Sequence, residues 1–200
     1  MPRDQWDLVL IGDGSGTKDI SPCGWACVML QRYPAFRRMF FGYDNTGGIM
    51  YAELHPYGQA LHWHWVTLGA GMLKTRIQAD PSARINVHII CDNRVVVEQG
   101  NSPDVRRNDL AIEWAKIEEL QAVGYRLTWH WRPRNNVALN RLCDALASFA
   151  TKVATDQEFK AYADKAQARM LELNPDQESK GDEAVQTESD TREGTAPLTS

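Results

Sequence analysis

The sequence predicts an α/β domain on a five-stranded mixed sheet, three antiparallel strands followed by two parallel ones, with helices on its faces. Three observations predict it. Before residue 44, three strand-like runs are joined by short links, which fits a meander of antiparallel neighbours. A helix-length segment then separates the third run from a fourth, long enough for the right-handed crossover that a parallel pair requires. The first and fourth runs are both apolar and both stop at an aspartate, Asp13 and Asp92.

The first strand is read over residues 7–12, where Leu8-Val9-Leu10-Ile11 has the continuous apolar character of a strand buried on both faces. The polar stretch from Asp13 to Pro22 reads as a turn, and Gly24 to Leu30 as a second strand. Pro34 punctuates before a third strand from Phe36 to Tyr43. After the loop Asp44 to Gly48, the residues Leu54, Gly58, Leu61 and Trp65 recur at helical spacing. Pro56 sits inside that pattern, where a missing N–H bends the helix or delays its start.

Ile85 to Cys91 is the fourth strand, followed by a short helix from Asn93 to Gln99 that closes on Gly100. Ser102-Pro103 and Asn108 offer start signals for a longer helix carrying Leu110, Trp114, Ile117 and Leu120, with Gly124 as its stop. Tyr125, Leu127, Trp129 and Trp131 alternate with polar residues as the fifth strand. Leu139, Leu142, Cys143, Leu146 and Ala147 mark a helix over about residues 136–150, and Thr155 with Glu158 forms a capping box for a last one. Its stripe is Phe159, Tyr162, Ala163, Ala166 and Met170.

These elements divide the chain into a domain over residues 1–150, an appended helix over 151–175 and an acidic tail over 176–200, too poor in apolar residues to order itself. The tail carries seven acids against Lys180 and Arg192, so the formal net charge of −4 resolves into an acidic tail and a body near +1. Such a body can present a basic face to nucleic acid. No apolar run reaches membrane-spanning length and the N-terminus lacks the layout of a secretory signal, so the expectation is a cytoplasmic protein with no membrane partner and no obligate protein partner. Cys23, Cys27, Cys91 and Cys143 form no C-x-x-C unit and are expected as reduced, partly buried thiols.

If the fourth strand lies parallel to the first, Asp13 and Asp92 meet at the edge where open α/β sheets hold ligands. Glu53, near the start of the crossover helix, and Asp144, on the helix after strand five, can lean toward the same edge. Four such carboxylates repel unless cations compensate. An all-oxygen ligand set favours Mg²⁺ or Mn²⁺ over zinc. Two ions roughly 3.5–4 Å apart can hold a scissile phosphate between an activated water and a stabilised leaving oxygen.

On four blocks the sequence resembles the type 1 ribonuclease H family: Asp13-Gly14-Ser15 with Gly24-Trp25-Ala26; Ala52-Glu53-Leu54; Cys91-Asp92-Asn93-Arg94-Val95-Val96; and Trp129-x-Trp131 leading to Asn140-x-x-Cys143-Asp144-x-Leu146-Ala147. The resemblance spans about residues 7–150. It implies the ribonuclease H-like sheet and helices, two Mg²⁺ ions with Mn²⁺ as a substitute, and cleavage of the RNA strand of an RNA–DNA hybrid to 5′-phosphate and 3′-hydroxyl ends. It further implies that Asp13 bridges both ions, Asp92 and Asp144 complete the nucleophile-side ion, and Glu53 binds the leaving-group ion and a ribose 2′-hydroxyl. Gly14, Ser15, Gly16, Asn93, Arg134 and Asn140 are the implied substrate contacts. The chain departs from the family in three places, one of them Pro56 within the Glu53 helix. A loop Arg132-Pro133-Arg134-Asn135-Asn136-Val137 replaces the common Gly-His loop, which gives Arg134 part of the phosphate-side role. Ile49 and Met50 stand where an Asn pair is frequent.

Two other functions share the scaffold: a structure-specific DNA nuclease of the junction-resolvase kind, and a catalytically silent nucleic-acid-binding domain. Elsewhere the plainer readings are preferred. Trp63, Trp65, Trp129 and Trp131 pack in the core; His62 and His64 point to different helix faces; His88 and His130 are satisfied polar groups. Arg106, Arg107, Arg132 and Arg134 divide between phosphate contacts and a solvated surface. Asp19, Asp44, Asp80, Asp104 and Asp109 are loop or helix-start acids outside the site.

Overall fold

Along β1 (Leu8–Ser15), Leu8 and Leu10 turn to one side of the sheet and Val9 and Ile11 to the other, and all four are buried. A strand apolar on both faces needs a layer of helices over each. The computed structural model, which describes residues 6–16, 22–45, 47–134, 137–152 and 156–172, supplies both layers. The strands β2 (Cys23–Gln31), β3 (Phe36–Asp44), β4 (Ile85–Cys91) and β5 (Tyr125–Trp131) join β1 in the order β3-β2-β1-β4-β5. The pairs β1·β2 and β2·β3 are antiparallel, and β1·β4 and β4·β5 parallel, as expected.

Three helices cover one face: α1 (Gly48–His64), continued through a π-helical turn at Trp65–Gly69 into α2 (Ala70–Ala79), and further on α4 (Ala111–Ala122). With α3 (Arg94–Asn101) they bury Leu54, Tyr57, Leu61, Leu73, Val96, Trp114 and Ile117 against Leu10, Met29, Val87 and Ile89. The opposite face receives α5 (Ala138–Ala150), which packs Leu139, Cys143 and Leu146 on Val9, Ile11, Val28 and Ile90. The last helix, α6 (Asp156–Glu172), adds Ala166 and Met170 to that second core. The capping box and the tail of residues 176–200 lie outside the described residues, as do the side chains of Phe159, Tyr162 and Ala163.

Three expectations are corrected. The first concerns the Asp13-to-Pro22 turn: β1 continues through Asp13 and Gly14 to Ser15, because β2 offers them partners in Ala26, Trp25 and Gly24. Asp13 is therefore a strand residue. Second, Pro56 does not delay its helix, which begins at Gly48. Loss of one N–H costs about 3 kcal/mol, whereas burying Leu54, Tyr57 and Leu61 returns roughly 1.5–3 kcal/mol each. Third, Asp44 ends β3 opposite Cys23 instead of standing in a loop. No helix among the described residues is long and apolar enough to cross a membrane.

Candidate active site

The register of the two central strands creates the site. The β1·β4 ladder reaches Ile11 and Ile90, beyond which β1 stays paired to β2 alone. The hydroxyl of Tyr57, 3.0 Å from the Gly12 carbonyl and 2.9 Å from the Ile90 carbonyl, donates into this end of the ladder. Past it, Asp13 continues on β1 and Asp92 follows β4.

Two helices bring the other acids. Gly14 admits α1 at close range: a Cβ there would stand 2.5 Å from the Ala52 carbonyl carbon. That approach sets Glu53 against the strand ends, 4% exposed. On the other face a Cβ on Gly24 would lie 2.2 Å from the Ala147 oxygen, so α5 also docks on bare backbone. The thiol of Cys143 donates to the Ile11 carbonyl at 3.3 Å, which seats the turn carrying Asp144.

Arg134 ties three of these acids together. Its Nε lies 2.7 Å from Asp92 Oδ2, one Nη 3.0 Å from Asp144 Oδ1 and the other 3.3 Å from Asp13 Oδ1. The second oxygens of Asp13 and Asp92, and Oε2 of Glu53, are buried with no hydrogen-bond partner among the described residues. Leaving a buried acceptor unsatisfied costs about 1–3 kcal/mol, more for a charged group. The fully buried Asp13 carboxyl is pushed up to about 7 by its burial, with the negative charge of Asp92 adding to it. Burial likewise raises Glu53 well above the carboxylate range, with Asp13 and Asp92 next in effect. Burial opposes the charge on Arg134, yet its bond to Asp92 and the charges of Asp13 and Asp144 hold it above the ordinary guanidinium range.

This arrangement fits hard divalent cations. One guanidinium cannot neutralise four carboxylates, and the orphaned oxygens carry lone pairs with no hydrogen-bond partner among the described residues. Ligand atoms of Glu53, Cys91 and Asp92 lie within 4.8 Å of one another. Cys91 stays a bystander, since burial holds its thiol well above its ordinary range and oxygen donors suit Mg²⁺ and Mn²⁺ better.

The remaining residues singled out from the sequence divide. The Gly14 N–H donates to Asp13 Oδ1 at 2.8 Å and orients it. Ser15 Oγ pairs with Thr151 Oγ1 at 3.3 Å, while Gly16 is exposed at the rim. Asn93 caps α3, its Oδ1 accepting from the N–H groups of Val95 and Val96 at 3.1 and 3.4 Å. Asn140, one turn before Asp144, is 1% exposed with its amide unpartnered among the described residues. Arg106 is committed to Glu118 and lies over the Trp114 ring, and Arg107 is committed to Asp109. His88 and His130 satisfy each other at 2.8 Å.

Trp63, Trp65 and Trp129 pack in the core, but Trp131 does not: it is 36% exposed at the end of edge strand β5. Its Nε1–H donates to the Asp92 carbonyl at 2.9 Å, and the Arg94 guanidinium stacks 4.1 Å above the ring. Strand alternation alone gave no sign of this contact. Nor did it single out Tyr57, whose only signal is a tyrosine among apolar helix positions.

No protein-family model matches the sequence, and no curated protein does. Solved structures do. The chain is similar to the N-terminal RNase H domain of a Mycobacterium tuberculosis protein, at 21% identity and a TM-score of 0.55, covering 80% of this chain and 97% of that one. It is also similar to LC11-RNase H1, from a compost metagenome and solved with an RNA/DNA hybrid (18%, 0.53, 72% and 96%). A third likeness is to the prototype foamy virus protease–reverse transcriptase (17%, 0.56, 78% and 22%). The fold is that of ribonuclease H.

Proposed function

We propose that this chain, with its ribonuclease H fold, is a type 1 ribonuclease H: a metal-dependent endonuclease that hydrolyses the RNA strand of RNA–DNA hybrids to 5′-phosphate and 3′-hydroxyl ends. The observation that carries this reading is the trio of buried oxygens on Asp13, Glu53 and Asp92 that have no partner among the described residues, beside the Asp144 carboxylate. Two of the similar solved structures, LC11-RNase H1 and the foamy virus protease–reverse transcriptase, include an RNA/DNA hybrid in their complexes, which supports the choice of substrate.

In this reading Asp13, Glu53, Asp92 and Asp144 hold two divalent cations, Mg²⁺ or Mn²⁺. Bound there, the ions supply charge neutralisation at the phosphate, an activated water and stabilisation of the leaving 3′-oxygen. The chain's own residues do the rest. Asp13, aimed by the Gly14 N–H, and Glu53, wedged against bare backbone, hold their carboxylates with little freedom. Beyond buried Gly14, Ser15 and Gly16 present little side-chain bulk at the rim, so a sugar–phosphate backbone can approach the strand end and its 2′-hydroxyl can meet the main chain. That hydroxyl distinguishes RNA from DNA.

The test is a substrate panel. With Mg²⁺, the chain should cut the RNA strand of a hybrid and leave matched DNA–DNA, RNA–RNA and four-way-junction substrates whole. Cutting of the junction instead replaces this reading with the resolvase one, and tight binding without cutting of any substrate replaces it with a silent binding domain.

A further inference from the structure

The carboxylate oxygens fall into two sets. Asp13 Oδ2, Glu53 Oε2 and Asp92 Oδ1 are buried and unpartnered among the described residues. Asp13 Oδ1, Asp92 Oδ2 and Asp144 Oδ1 are each bonded to a different nitrogen of the one Arg134 guanidinium. The donors of that fork are fixed in one plane and have no accepting atom, so an oxygen facing them cannot offer the same lone pair to a cation.

We propose that Arg134 gates the second of the two cation positions: the first ion enters on the oxygens that Arg134 leaves free, and the second enters only by displacing its guanidinium from Asp144 and Asp13. The inference rests on the metal-dependent reading above. A first ion relieves the unsatisfied oxygens of Asp13, Glu53 and Asp92, of which Glu53 and Asp92 already hold ligand atoms within 4.8 Å of each other. The second position needs Asp144, which is the most exposed of the three acids that Arg134 holds, at 33% for its side chain. Arg134 is itself 44% exposed, so the guanidinium can swing to solvent without opening the core. Arg134 thus acts as a positioning residue, through the carboxylates and not on a reacting atom. It keeps the acids gathered before the ions arrive and makes the two ions inequivalent, one bound strongly and one in exchange with a side chain.

Calorimetric titration of the metal-stripped full chain with Mn²⁺ tests this directly, without any substrate. Wild type should show two events. Arg134→Ala should strengthen the second by about 10- to 100-fold, the worth of the charge-assisted bonds it no longer has to break, and strengthen the first by clearly less, since the first ion breaks none of those bonds and gains only from the lost charge. Arg134→Lys, which keeps the charge but not the fork, should fall between. Thermal melts give the second readout: Arg134→Ala should melt below wild type when metal-free and level with it at saturating Mn²⁺. A second event that ignores the substitution, or two events strengthened equally, overturns the gate and leaves the metal reading standing. Binding of fewer than two ions by both chains removes the gate and the two-ion site together. An altered second event in a chain that cuts no hybrid keeps the gate and removes the hydrolase reading.

Discussion

Gly14 and Glu53 meet backbone to backbone: a Cβ built on Gly14 would stand 2.6 Å from the Glu53 nitrogen. No flexible side-chain end lies there to move aside, so the strand and the first turns of α1 share one fixed separation. Gly14→Ala must push the helix outward and carry the Glu53 carboxylate away from Asp92. Overpacking of this kind costs about 1–3 kcal/mol. The expected outcome is a lowered thermal midpoint with hybrid cleavage reduced by more than the fraction unfolded, read by melting and rate assays on the same preparation.

Burial of Asp13 gives the metal-free protein an unusual pH response. Its carboxyl moves from the ordinary 3.8 to about 7 on folding, so between those values the folded chain holds a proton that the unfolded chain has lost. That contribution to stability is fully present below about pH 4 and is lost as the pH rises toward 7. His64 works in the opposite sense: burial lowers it from 6.5 to about 4, so its contribution is lost as the pH falls through that window. The two are separated by difference. With EDTA present, the midpoint of wild type minus that of Asp13→Asn should fall steadily from pH 4 to pH 7, and a flat difference would show that Asp13 titrates normally.

Much of this was legible because it rests on periodicity. Burial of Leu8 to Ile11 on both faces of the sheet follows from the continuous apolar run, and the parallel placement of β4 from the length of the segment before it. Asp13, Glu53, Asp92 and Asp144 were recognisable as four acids in order, and the structure gathers them at one sheet end. What pattern reading missed depends on long-range packing. Ladder partners on β2 extend β1 past Asp13, and a large buried face tolerates Pro56 within α1. Neither is encoded within a few residues of the position concerned. The same holds for the bonds of Arg134 to the acids: the loop marked Arg134 for a phosphate-side role, but not for its pairing with Asp13, 121 positions away. It holds again for His64, buried between Gln31 and Tyr125 from two separate strands.

The appended helix α6 contributes to the second core through Ala166 and Met170, the latter fully buried. Met170→Ala should therefore lower stability by about 2–5 kcal/mol, measured by urea unfolding. Removal of residues 176–200 should leave both stability and cleavage unchanged, and a loss of turnover on that truncation would tie the tail to the reaction.

Trp131 reaches the site from outside the core. Its indole N–H holds the Asp92 carbonyl, so Trp131→Phe removes one hydrogen bond worth about 0.5–1.5 kcal/mol and frees the segment that aims the Asp92 carboxylate. The expected signature is a small drop in thermal midpoint with a weaker affinity for Mn²⁺ at the first position. An unchanged affinity would confine Trp131 to a structural role.

Whether four acids share divalent ions to hydrolyse an RNA strand is read in one assay: a metal-stripped chain mixed with an end-labelled RNA–DNA hybrid, then given Mg²⁺. No cutting is expected before the ion is added, cuts in the RNA strand with 5′-phosphate ends afterwards, and none at any time with Asp13→Asn. Cutting in the presence of EDTA, or cutting undiminished by Asp13→Asn, would contradict the metal-dependent reading.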